Sequence, residues 1–194
     1  MKRLLLILVL TFSFQSLTKA DDISDFQIEG MSIGDSLLDY FSEEEIKNNL
    51  KETDYTSDKY LLFEIYQDSH QLNQYGAIMI HFKKNDKNYI IYSLAGVIIF
   101  EDNFQECILK QKEIVSDISE LFNELEKNDL GISKHRADKS GKSKFSQVQY
   151  EFPSKDKITI QCYDWSDEMG YMDHLRIGLR LNEYFYWIIN EAHQ

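Results

Sequence analysis

Six short segments constrain the fold of this chain more than any other feature, because their apolar residues recur at every second position or run unbroken. A period of two is typical of a strand with one buried face, and an unbroken run is typical of a strand buried on both faces. The segments form two groups of three, separated by a long stretch of helical period. The predicted strands are residues 60–67, 76–84, 89–100, 145–152, 157–165 and 174–181.

The stretch between the two groups is predicted to be an amphipathic helix of about 22 residues. Asn103, with Glu106 three residues later, is a capping-box-like start, and residues 128–131 are typical of a helix end. Shorter helices are predicted before the first group, where Ser42 and Glu45 form a capping box, and after the last strand. The apolar residues of the long helix are Phe104, Ile108, Val115, Ile118, Phe122 and Leu125.

These elements predict an α+β fold, a two-layer antiparallel sheet with helices on one face. Their order also suggests duplicated α-βββ units linked by the long helix, although no residue-level repeat supports a duplication. Residues 21–194 are predicted to form one domain, with halves at 28–128 and 129–194 if the duplication holds. Gly96, inside the third strand, is predicted to mark a bulge or a close approach of another group.

The first 20 residues have the order of a secretory signal peptide. Lys2 and Arg3 precede an unbroken apolar run at residues 4–10, and small residues follow at Thr18 and Ala20. Because the apolar core is shorter than the roughly 20 residues that a spanning helix needs, cleavage after Ala20 is favoured over a membrane anchor. We therefore expect a periplasmic or secreted protein, with no stable membrane insertion after cleavage.

The chain has two cysteines, Cys107 and Cys162. In an oxidising compartment this pair favours one disulfide over two separate buried thiols. The bridge would close a loop of about 55 residues and, in the chain-entropy model, would stabilise the fold by roughly 4 kcal/mol. Because neither cysteine lies near the predicted cleavage site, lipid attachment there is not expected.

Loss of the leader removes three basic residues and no acid, which leaves 18 basic residues against 33 acidic ones, a formal net charge of −15. Such a surface repels nucleic-acid phosphates and anionic lipid head groups. We therefore expect no nucleic-acid partner, whereas a protein partner in the cell envelope is compatible with this charge. The charge does not indicate an oligomeric state.

The loop 162–174 is the first candidate binding surface, because its acids surround aromatic residues. A calcium loop needs glycine at position six, but here Met169 occupies that position and Gly170 follows one residue late. No pair of histidines has the spacing of a zinc site, so we predict neither a metal nor a cofactor. A polar connection between strands is the alternative. The candidate residues are Asp164, Trp165, Asp167, Glu168, Tyr171, Asp173 and His174.

The second candidate surface is the basic linker, residues 132–144, a local reversal of charge that could dock an acidic partner or a phosphate-bearing glycan. Its candidate residues are Lys134, Arg136 and Lys142; a solvated loop is the alternative. The SGKS sequence within it is not a phosphate-binding loop, because position 136 holds arginine where that loop needs glycine and a strand follows it.

The sequence IEGMSIGDSLLDYFS, residues 28–42, followed by three predicted strands, resembles the entry to outer-membrane-assembly lipoprotein domains of the SmpA/OmlA type. The resemblance implies a scaffold that is not an enzyme. The chain departs from that family in lacking a lipidated cysteine and in having a second group of strands. Overall it is also similar to small exported proteins of low-GC bacterial genomes, which implies no activity.

No nucleophile elbow and no Ser-His-Asp or Cys-His arrangement is evident, so the sequence predicts no catalytic residue. The leading hypothesis is an exported, non-enzymatic binding or accessory (scaffold) module of the envelope. The alternative is a periplasmic small-molecule or cation-binding protein, and a hydrolase assembled from distant loops is a third class.

Overall fold

The computed structural model describes residues 22–68, 70, 72–101, 103–122 and 124–194, and it shows one eight-stranded antiparallel sheet with three α-helices. The signal peptide predicted for residues 1–20 lies outside the described residues. In chain order the elements are α1 (Glu43–Asn48), β1 (Leu50–Lys51), β2 (Tyr60–Tyr66), β3 (Ala77–Lys83), β4 (Ser93–Ile99), α2 (Phe104–Leu121), β5 (Glu126–Lys134), β6 (Lys144–Glu151), β7 (Lys157–Asp164), β8 (His174–Arg180) and α3 (Asn182–Asn190).

The strands follow one another across the sheet in the order β1-β2-β3-β4-β8-β7-β6-β5. Two four-stranded meanders are thus joined where β4 pairs with β8, and a helix follows each meander. The predicted α+β class is confirmed, and the six predicted strands correspond to β2, β3, β4, β6, β7 and β8. Within the described residues, no helix combines the length and apolar character required to cross a bilayer.

Two edge strands were not predicted from the sequence. The long helix ends at Leu121, and residues 126–134, assigned to the helix end and the basic linker, form β5. Because β5 is exposed along nearly its whole length and its register shifts between Asp129 and Gly131, it has no alternating apolar pattern. The duplicated α-βββ arrangement is not confirmed, since each group has a fourth strand, and the proposed boundary at 128–129 falls inside β5.

The first face of the sheet carries the main hydrophobic core. Alternate residues of the strands, such as Phe63, Ile80 and Ile160, are fully buried there, and α2 lies over β7 and β8. The predicted disulfide is confirmed: Cys107 of α2 is bonded to Cys162 of β7, with their Cα atoms 5.9 Å apart. The bond therefore fastens the long helix to the centre of the sheet.

The second face of the sheet is partly covered by α3, so the prediction of helices on one face is not confirmed. Trp187 and Tyr184 of α3 contact Tyr60, whose ring centroid lies 4.9 Å and 5.2 Å from theirs. Tyr184 also lies 4.8 Å from His81. Tyr60 and His81 alternate along their strands with core residues of the first face, so α2 and α3 lie on opposite sides of the sheet.

Gly96 is a point of close approach, as predicted, because the Tyr75 ring lies directly over it. A Cβ at this position would lie 2.4 Å from the ring atom Cδ1 of Tyr75. We expect Gly96→Ala to lower the free energy of unfolding by about 1–3 kcal/mol, since the ring has to move. Gly76→Ala is the matched control, because its Cβ would meet only ordinary contacts, with Ile99 at 3.5 Å. Urea unfolding of both variants measures the effect, and equal stabilities would contradict the steric explanation.

Candidate functional site

The two surfaces predicted from the sequence lie against each other. The first surface, residues 162–174, is called the acidic loop. Its Glu168 pairs with Lys142 of the basic linker at 2.5 Å, and its Asp164 pairs with Lys144 at 2.9 Å. Their charges therefore largely cancel locally. Lys134 and Arg136 are exposed, as is Asp167, which begins a short 3₁₀ turn.

The SGKS turn of the basic linker is held by one carboxylate. Asp138 is buried and accepts hydrogen bonds from the backbone N–H groups of Ser140 and Ser143, both at 2.8 Å, and from the hydroxyl of Ser166 at 3.0 Å. Hydrogen bonds from Ser140, and then from Ser143, hold the pKa of Asp138 well below its usual range. The turn is therefore a clip between β6 and the acidic loop rather than a phosphate cradle.

The acids of the loop do not gather around one point. Asp173 is buried, and its Oδ1 accepts the backbone N–H of Trp165 at 2.7 Å. Nowhere in the described ranges do three His, Cys, Asp or Glu side chains come together in a group that could hold a metal ion. The carboxylates of this loop mostly hold lysines and backbone amides in place.

The aromatic residues of the loop do come together, on the second face of the sheet. Tyr163 lies at the centre, with His174 stacked at 4.7 Å on the next strand and Trp165 parallel to it at 5.5 Å. Tyr171, which is 62% exposed, lies 4.9 Å from Trp165. Phe145, at 5.8 Å from Tyr163, completes this aromatic platform, defined as Phe145, Tyr163, Trp165, Tyr171 and His174.

An arginine pair beside this platform was not recognised in the sequence. Arg176 and Arg180 lie on the same side of β8, and both donate through Nη2 to the Oε1 of Gln161, at 2.9 Å and 3.4 Å. Arg176 also donates to the hydroxyl of Tyr163 and lies 5.0 Å from the centre of that ring. We call Gln161, Tyr163, Arg176, Gly178 and Arg180 the arginine site.

No carboxylate balances the arginine site. In the part of the chain that the structure describes, neither Arg176 nor Arg180 forms an ion pair, although acids outnumber bases in the protein. Burial, and then the nearby charge of Arg176, lower the pKa of Arg180. Within the described ranges, the Nε of Arg176 is buried without a hydrogen-bond partner. Two half-buried cations with an unused donor are costly unless an anion joins them.

Small residues make room for the two side chains. Gly178 lies between the arginines on β8, with Ala95 and Thr159 opposite it on the neighbouring strands. A Cβ at Gly178 would lie 3.0 Å from the Oγ1 of Thr159 and 3.5 Å from the Nε of Arg180. The side chain of Arg180 therefore passes over Gly178 to reach Gln161. A larger residue at position 178 would obstruct that path.

A second aromatic cluster, formed by Tyr55, Tyr60, Tyr184 and Trp187 with His81, bounds the arginine site on the side of α3. His81 lies in the row of residues that continues through Ser93 to Arg180. It is 6% exposed, and both of its ring nitrogens lack a hydrogen-bond partner in the part of the chain that the structure describes. Burial, followed by the charges of the two arginines, lowers its pKa to about 3, so the ring is neutral at neutral pH.

We expect this histidine to make the protein acid-sensitive. Unfolded histidine binds a proton below pH 6.5, whereas folded His81 does so only near its pKa of about 3, so stability falls as the pH drops between these values. At pH 5 the loss relative to pH 8 is roughly 2 kcal/mol. His81→Phe should remove that part of the pH dependence, measured by urea unfolding at both pH values. An unchanged difference between pH 5 and pH 8 in the variant would contradict this assignment.

The arginine site has the chemistry of anion recognition. Guanidinium groups bind carboxylate and phosphate oxygens through paired N–H donors, and a hydroxyl that accepts from Arg176 keeps its own proton to donate. Two shallow pockets of about 310 and 340 Å³ lie elsewhere, near β1 and the turn after β3. Comparisons with protein-family models, with curated proteins and with solved structures each find no match to this chain.

Proposed function

We propose that the protein is an exported, non-enzymatic binding module that holds an anionic ligand at the arginine site. The observation that carries this proposal is the convergence of Arg176 and Arg180 on a single neutral acceptor, Gln161, with no ion pair to either arginine among the described residues. In proteins, half-buried cations are usually paired. A site that keeps two of them unpaired is suited to a partner of opposite charge.

The charge distribution favours a small anion over a polyanion. The formal net charge of the chain is −12, and −15 without the first 20 residues, so a long nucleic acid or an anionic bilayer is repelled at a distance. A small anion reaches the two guanidinium groups without covering the acidic surface. The chain after residue 20 contains three arginines, and two of them lie in this site, which suits the preference for arginine at buried anion contacts.

This proposal keeps the hypothesis of a small-molecule ligand but gives that ligand a negative charge in place of the positive charge of a cation. A cation would need several free oxygen ligands, but Asp164, Glu168 and Asp173 are engaged by lysines or by a backbone amide. The export part of the proposal is supported by the disulfide, which is stable in an oxidising compartment, and by the order of residues 1–20.

Thermal unfolding with inorganic phosphate or acetate tests the proposal. At 100 times the dissociation constant, a ligand that binds only the folded protein adds about 2.7 kcal/mol, which corresponds to a rise in Tm of roughly 5–10 °C for a chain of this size. Phosphate also stabilises proteins nonspecifically. The double variant R176Q/R180Q in the same salt subtracts that contribution, and an equal rise in Tm in the wild type and the variant would refute the proposal.

A further inference from the structure

The arginine site and the aromatic platform share one residue, Tyr163. The Cζ of Arg176 lies 5.0 Å from the centre of the Tyr163 ring, and the centre of the Trp165 ring lies 5.5 Å from it. The guanidinium group and the indole are therefore neighbours of the same ring. On the basis of the anion-binding function proposed above, we infer that the ligand is an anionic sugar, whose charged group binds the arginines and whose ring lies on the aromatic platform.

The aromatic platform presents an apolar surface together with an unused donor. Tyr171 is 62% exposed although it is large and aromatic, and it leans on Trp165. The Nε1 of Trp165 is a buried atom to which no other described residue offers a hydrogen bond. An indole offers a flat apolar face for the C–H groups of a sugar ring, and its N–H can donate to a hydroxyl or ring oxygen.

Amide side chains extend from the arginines across β7 to β6 on the same face. Gln161 uses its Oε1 for the two arginines and donates from Nε2 to the Oε1 of Gln147 at 2.8 Å. Gln147 and Gln149 lie on β6, half-buried, on the side of the sheet that carries Gln161 and Tyr163. Amides both donate and accept, which matches the hydroxyl groups of a sugar.

This set of groups selects against two other anions. An aromatic acid without hydroxyl groups would stack on the platform but would make no hydroxyl hydrogen bonds to Gln147 or Gln149, and a site built to hydrogen-bond hydroxyl groups rejects ligands that lack them. A bare anion would fill the arginine site but would leave Tyr171, the exposed member of the aromatic platform, uncovered. The sugar acid and the sugar phosphate share the required chemistry, a ring with hydroxyl groups and one anionic group.

Calorimetric titration of the purified, oxidised protein tests the inference with six probes: D-glucuronate, D-glucose 6-phosphate, D-glucose, benzoate, acetate and inorganic phosphate. We expect at least one of the two anionic sugars to bind about tenfold or more tighter than its matched bare anion, acetate or phosphate, with the gain coming from ring contact. The glucuronate and glucose 6-phosphate arms show whether the charged group is a carboxylate or a phosphate. D-glucose and benzoate should bind more weakly than the preferred anionic sugar.

Variants of the aromatic platform separate this inference from the anion site. Trp165→Ala should reduce the affinity for the preferred anionic sugar about tenfold and leave that for its matched bare anion unchanged. Tyr171→Ala, at a position that is 62% exposed, should act in the same direction and keeps the test valid if Trp165→Ala fails to fold. Tyr186→Ala is the matched control, because Tyr186 is 60% exposed on α3, outside the aromatic platform.

Three results would overturn the inference. If acetate or phosphate binds and neither anionic sugar binds more tightly, the sugar inference fails and the anion-binding function stands. If benzoate binds more tightly than both anionic sugars, the amides are not hydroxyl partners and the ligand is an aromatic acid. If none of the five anions binds, both the inference and the proposed function fail.

Discussion

Replacing both arginines of the arginine site by glutamine, as R176Q/R180Q, should lower the affinity for phosphate or acetate by on the order of a hundredfold or more. Hydrogen bonds to charged groups contribute roughly 1.5–3 kcal/mol each, and the variant removes such bonds from two residues. The free energy of unfolding should stay equal or rise, because the change removes two half-buried like charges that no carboxylate balances. Isothermal titration calorimetry and urea unfolding measure the two quantities.

The matched control is the variant K47Q/K87Q, which removes two positive charges from exposed positions on α1 and on the turn after β3. It changes the net charge by the same amount, but both lysines lie outside the arginine site, so it should leave anion affinity nearly unchanged. A large loss of stability in R176Q/R180Q would mean that the arginines are structural, with their main role in holding Gln161 and Tyr163. Equal affinities in the two double variants would mean that only overall charge matters.

Removing the disulfide with C107A/C162A should lower the free energy of unfolding by about 4 kcal/mol, because the bond closes a loop with a sequence separation of 55 residues. That is a large share of the free energy of unfolding of a typical protein, which is roughly 5–15 kcal/mol. Guanidinium unfolding of the variant and of the reduced wild type measures the loss. A loss under about 1 kcal/mol in both would contradict the chain-entropy account for this bond.

The disulfide also bears on the binding face. Cys162 lies on β7 between Gln161 and Tyr163, whose side chains point to the opposite side of the sheet from the sulfur. Fastening β7 to α2 on the first face therefore holds in place the strand that supplies the acceptor and the ring of the arginine site. The disulfide therefore links the main hydrophobic core to the arginine site through β7.

The sequence predicted secondary structure correctly where burial of one face imposes a regular spacing of apolar residues. β2, β3 and β7 each bury alternate residues against the core, and the capping box of Ser42 and Glu45 opens α1 as predicted. β5 was missed because an exposed edge strand has no buried face to impose alternation, and its register shift interrupts any pattern that remains. The spacing of apolar residues in α3 did not indicate which side of the sheet the helix covers, because both faces offer apolar neighbours.

The arginine site was missed for a different reason. Alternation along β8 placed Arg176 and Arg180 on one side, but their significance depends on what lies beside them. Gln161 and Thr159 became neighbours only because β7 pairs with β8, and strand order is not encoded in any single segment. The acidic loop misled in the opposite way, since two of its conspicuous carboxylates, Glu168 and Asp164, are paired with lysines of the turn before β6 and of the start of β6.

The most direct test of an anion held by the arginine pair is the ¹H–¹⁵N NMR signal of the Nε–H of Arg176 during titration with phosphate, assigned by comparison with Arg176→Gln. This donor is buried and has no hydrogen-bond partner among the described residues. We predict that its resonance shifts progressively to saturation, with that of Arg180, while the signal of the exposed Arg136 moves little. Signals of Arg176 and Arg180 that stay unchanged throughout the titration would contradict the account.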